Sequence, residues 1–156
     1  MRTLTLALLV VSLATLAGLA PGMARANDAG VAASVTKWSA RIGPKAATLG
    51  TTMSGTSTTR ALAGFRSFTK VARQGAAAIS TTKPSTRRGA KLKLLATRAF
   101  VNFGNAGALL IRAVQMQRNG KTDAEIAATV DRAVALANTG SSQLKSASVL
   151  ISKIAR

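Results

Sequence analysis

Residues 126–154 constrain the fold more than any other part of the chain. Ile126, Val130, Ala133, Ala137, Gly140, Leu144, Ala147, Ile151 and Ile154 alternate four and three residues apart. That spacing puts them in a single seam along one α-helix, and a strand would scatter them over both faces. The start of the helix is marked too. Thr122-Asp123-Ala124-Glu125 has the form of a capping box, with Thr122 as cap and Glu125 three residues on. Asn119-Gly120 just before it suits the end of a preceding helix, because both residues tolerate left-handed backbone angles. Gly140 is the weak point of the seam, costing about 1 kcal/mol relative to Ala.

A helix with one apolar seam needs a neighbour, and the sequence just upstream supplies it. Leu92, Ala96, Ala99, Phe103, Ala106, Leu110 and Ala113 repeat the spacing, predicting a helix from about Ser85 to Arg118. The short connection between the two makes them antiparallel. Lys83-Pro84 interrupts the pattern. Before it, Ala61, Phe65, Phe68, Ala72, Ala76 and Ile79 predict a helix over about 57–80. A first helix is expected over about 29–52, with Gly43-Pro44 as a kink or break, and part of 48–60 as a Thr/Ser/Gly-rich loop. Gly104 and Gly107, on adjacent turns, suit close helix approach. The segment Ala99 to Ile111 reads as a buried helix, because its apolar run is too short to span a bilayer. The expected fold class is all-α, an antiparallel bundle of about four helices.

The bundle is expected to follow a cleaved signal peptide. Met1-Arg2 is followed by an apolar run from Leu4 to Ala20, a Pro21-Gly22 break, and Ala24-Arg25-Ala26. Small residues at the last and third-last positions place cleavage after Ala26. A retained anchor is the competing reading, but the run is at the short edge of what crosses a bilayer and ends at once in Pro-Gly. A lipoprotein signal needs a Cys, and a twin-arginine signal needs paired Arg. The chain has no Cys, and Arg2 stands alone. The domains are therefore 1–26, a Sec-type signal peptide, and 27–156, one helical domain. The expected location is secreted or periplasmic.

Composition then narrows the chemistry. With no Cys and no His, the chain has no thiol nucleophile, disulfide or histidine base. The four acids are Asp28, Asp123, Glu125 and Asp131. Asp123 and Glu125 fall where negative charge complements a helix dipole, and Asp131 suits an ion pair. A divalent metal site would need more ligands. Ser142 and Lys145 are a chance Ser-Lys pairing without the accompanying motifs of a serine enzyme. No catalytic residue, metal site or cofactor is expected, and the protein is read as non-enzymatic.

The basic residues carry the functional signal. The formal charge is +18, and +16 once Arg2 and Arg25 leave with the signal. Sixteen Lys or Arg and no acid lie between residues 29 and 122. Unpaired positive charge repels itself, so this excess points to an anionic partner. The expected anion-binding residues are Arg87, Arg88, Lys91, Lys93 and Arg98, then Arg66, Lys70 and Arg73. Lys37, Arg41 and Lys45 form a further stripe if the helix survives Pro44. Trp38 beside them is expected to be half-buried packing. The partner is expected to be an anionic envelope polymer or lipid surface, met peripherally by a monomer. Nucleic acid meets the same charge criterion but is not favoured, because export separates the protein from most of it and the Phe residues lie on apolar faces. Two alternatives are a module that docks a partner helix and a secreted membrane-active, toxin-like protein.

Overall fold

The structure is a computed structural model, described here for residues 26–52 and 58–154. Its elements are α1 (Ala26–Thr52), α2 (Thr58–Ser80), α3 (Arg87–Arg118) and α4 (Asp123–Ile154). They pack as a four-helix bundle. The signal-peptide reading falls on residues 1–26, of which only Ala26 is described. Residues 53–57 of the expected loop likewise lie outside the described residues.

Local signals set the boundaries of the α3–α4 hairpin. The turn after α3 is closed by hydrogen bonds from Asn119 N to Gln115 O, Gly120 N to Gln117 O, and Lys121 N to Met116 O, at 3.0, 3.2 and 3.0 Å. The last spans five residues, as in a Schellman turn, and needs the left-handed backbone that Gly120 adopts at φ +70°. The expected capping box then opens α4. Thr122 N donates to Glu125 Oε2 at 3.1 Å, and Glu125 N donates to Thr122 Oγ1 at 3.3 Å. At the end of α2, the hydroxyls of Ser80, Thr81 and Thr82 donate to the carbonyls of Ala77, Ala78 and Ile79 at 2.7–2.8 Å. Lys83-Pro84 then turns the chain toward α3.

Of the kink or break expected at Gly43-Pro44, there is no break: Pro44 lies inside a continuous helix. Proline removes one intrahelical hydrogen bond and crowds the preceding turn. Here Val31, Val35, Ile42 and Ala46, all buried on one face, hold the helix through it. Tertiary packing outweighs the local penalty.

α3 is the central helix and touches the other three. By length and composition it is the one helix among the described residues that could cross a membrane. In the bundle it is the core helix, with Leu92, Ala96, Ala99, Phe100 and Phe103 at most 1% exposed. All four Phe residues are buried. The ring of Phe103 meets those of Phe68 and Phe100 edge-on, each at 6.1 Å between centroids.

Glycines make room for these rings. A methyl group at Gly75 would collide with the Phe100 ring. One at Gly140 would sit 2.9 Å from Phe103 Cε1 and 3.0 Å from the Ala99 carbonyl oxygen. Gly140 is thus the point where α4 closes onto α3, which corrects its reading as only a weak point. Gly107 serves α2 in the same way, since a methyl there would overlap Thr69 and press on Phe68.

Candidate anion-binding surface

Helical geometry sorts the basic residues by direction. On α3, Arg87, Lys91, Leu94, Arg98, Val101 and Asn105 recur four and three residues apart and are all exposed. Three of the expected binding residues therefore share one outward stripe, about 27 Å long at 1.5 Å per residue. Arg88 is exposed too but turned about 100° from Arg87. Lys93 points elsewhere. It is half-buried, and its Nζ donates to the carbonyl of Thr82 at 2.8 Å, tying the α2–α3 connection to the first turns of α3.

On α2, Arg66, Lys70 and Arg73 are exposed, opposite Phe65, Phe68 and Ala72 in the core. The Arg73 side chain lies across Gly104, where a methyl group would come within 3.3 Å of its Cγ. That contact brings an α2 cation onto α3, three residues beyond Val101. On α1 the helix runs through Pro44, so Lys37, Arg41 and Lys45 do form an exposed stripe. Trp38 is half-buried against the core and Arg41 lies over its ring, 4.8 Å from the centroid. The indole is packing with a cation on its face.

The acids are segregated from these surfaces. Asp123, Glu125 and Asp131 lie in the first turns of α4 and are exposed. Glu125 is held below its usual pKa by hydrogen bonds from the Thr122 amide and hydroxyl, with Lys121 beside it at 3.6 Å. Further along, α4 carries only Arg132, Lys145 and Lys153 as charges. The Asn102 Nδ2 hydrogen bond to Gln143 Oε1, at 3.0 Å, fixes the antiparallel register of α3 and α4. The C-terminal part of α4 therefore lies beside the start of α3. Among the described residues, negative charge collects at one end of the bundle, and the charged side chains exposed at the other end are all basic.

The fourth acid, Asp28, is a site the sequence reading missed. It is 3% exposed, in the first turn of α1. Its Oδ1 accepts from Ser85 N at 2.7 Å, Ser85 Oγ at 3.2 Å and Thr86 N at 3.3 Å, and its Oδ2 accepts from Thr86 Oγ1. Thr86 is the N-cap of α3, and its Oγ1 accepts from Gly89 N at 3.1 Å.

This arrangement is a capping box whose carboxylate comes from another helix. In α4 the box is Thr122 with Glu125. In α3 the matching positions are Thr86 and Gly89, and Asp28 takes the place of the missing glutamate. A side chain at Gly89 would overlap the Asp28 carboxylate, so the glycine leaves the space it needs. Burial pushes the Asp28 carboxyl pKa up, but the hydrogen bonds from Thr86 and Ser85 outweigh that and hold it below the usual carboxylate range. The one acid of α1 is thus consumed inside the fold.

Among the described residues no group of three or more Asp, Glu, His or Cys is placed to hold a metal ion. No protein-family model, curated protein or solved structure matches this chain.

Proposed function

We propose that this protein is exported and non-enzymatic, and that it binds an anionic surface or polymer of the cell envelope or exterior through the basic faces of α2 and α3. The observation that carries this reading is the segregation of charge. From Ala29 to Lys121 the bundle offers cations and no acid, and Asp28 is buried in the α3 cap. Arg87, Arg88, Lys91 and Arg98 on α3 would supply the main contacts, with Arg73, Lys70 and Arg66 of α2 following further along the bundle. Each would act as a charge and hydrogen-bond donor to phosphate or carboxylate. Contact of this kind weakens as salt screens it.

Elution from an immobilised polyanion in salt steps tests the reading. Neutralising Arg87, Arg88, Lys91 and Arg98 to Gln should lower the eluting salt more than neutralising Lys37, Arg60, Arg118 and Lys145, which are exposed but scattered. Equal losses would mean that net charge alone binds and that there is no patch. Elution of the unaltered protein alongside a charge-matched helical control would lead to the same conclusion.

A further inference from the structure

Among the described residues, the large apolar side chains left most exposed are Leu94, Val101 and Val149, at 49%, 45% and 51%. Two of the three share the outward stripe of α3. Leu94 lies between Lys91 and Arg98, and Val101 follows Arg98 by three residues. Arg73 of α2 lies across Gly104 on the next turn. The exposed face of α3 is therefore cationic and apolar together, with no acid on either α2 or α3. A soluble polyanion is met by cations alone and gains nothing from a leucine and a valine held out among them. An anionic bilayer presents both matching layers. Its phosphates meet Arg and Lys, and the acyl boundary just beneath meets apolar side chains. The aliphatic stems of Lys91, Arg98 and Arg73 can bridge the two depths while their charged ends stay among the headgroups.

Resting on the anionic-surface reading and narrowing it, we infer that the partner is an anionic lipid bilayer and that α3 lies along it. Leu94 and Val101 enter the interface, and Arg87, Lys91, Arg98 and Arg73 hold the headgroup phosphates. Each cation near such a surface contributes about fivefold in partitioning. Moving the exposed halves of the Leu and Val side chains out of water adds roughly tenfold together. The rest of the apolar surface of α3 stays in the bundle core, so binding is peripheral and the bilayer remains sealed.

The test uses sedimentation with vesicles of phosphatidylcholine containing phosphatidylglycerol, with soluble polyphosphate as the parallel ligand. The double variant Leu94→Gln, Val101→Gln alters only half-exposed positions, and an unchanged melting curve checks its fold. Vesicle binding should fall roughly tenfold, while polyphosphate binding stays the same. Val149→Gln removes similar exposed apolar surface from α4 and should leave vesicle binding intact. The inference is overturned if the double variant sediments like the parent, if Val149→Gln loses as much, or if the vesicles leak their contents. Binding to polyphosphate without binding to vesicles overturns the lipid assignment and leaves the anionic-partner reading standing. Binding to neither overturns both.

Discussion

Replacing Asp28 with alanine should destabilise the bundle more than any other single change at a charged residue. The carboxylate accepts four hydrogen bonds, two from backbone amides and two from hydroxyls, at the start of a helix with no cap carboxylate of its own. Loss of an N-cap interaction costs about 1 kcal/mol, and a hydrogen bond to a charged group contributes about 1.5–3 kcal/mol. Ser85 and Thr86 are not fully buried, so water can re-engage their donors and the contributions do not sum. The net expectation is about 3 kcal/mol, or about a 10 °C fall in Tm for a domain of this size. Asp28→Asn keeps one acceptor oxygen and should cost less, about 1 kcal/mol. The sign of the pH dependence follows from the lowered pKa. A group held low in the folded state stabilises it fully above the unfolded value. That contribution fades as pH falls through the folded value. Urea titrations at pH 7 and below pH 4 should therefore show the gap between parent and Asp28→Asn narrowing in acid. A cost below about 0.5 kcal/mol for Asp28→Ala, or a gap that widens in acid, would refute the shared capping box.

Two further changes test the packing. Gly140→Ala gains helix propensity but sets a methyl group against Phe103 and the Ala99 carbonyl, so thermal melting should show a net loss of about 1–2 kcal/mol. A stabilised variant would mean that α3 and α4 can move apart without penalty. Ile151→Asp puts a charge into a position 3% exposed and should abolish the cooperative transition seen by circular dichroism. Native-like melting would show that the α4 seam is not core.

Much of the fold was legible because its signals are local. The seam of α4, the Thr122–Glu125 box and the Asn119-Gly120 stop each lie within a few residues of the structure they specify. Buried Phe positions followed from periodicity, as did the outward placement of Arg66, Lys70 and Arg73. What was illegible depends on distant partners. Pro44 carries a local signal against helix, and the burial of Ile42 and Ala46 around it overrides that signal. Lys93 sits in the densest basic run and nothing near it in sequence reveals its bond to Thr82. Asp28 looks like an ordinary first-turn acid. The available clue was Thr86 followed three residues later by Gly where a glutamate would complete a box, which leaves a cap in need of a carboxylate from elsewhere.

That borrowed carboxylate also ties the cap of α3 to the docking of α1. α2 packs on α3 and α3 on α4, each across a short connection, so their contacts close small loops and form quickly. The Asp28 bonds join residues 57 and 58 apart. Closing a loop that long costs about 2 kcal/mol more in chain entropy than closing a four-residue turn. The cap of α3 should therefore be completed only once α1 is in place. Protection of the Thr86 amide from exchange thus reports the docking of α1, read at the opposite end of the hairpin from the turn where α3 meets α4.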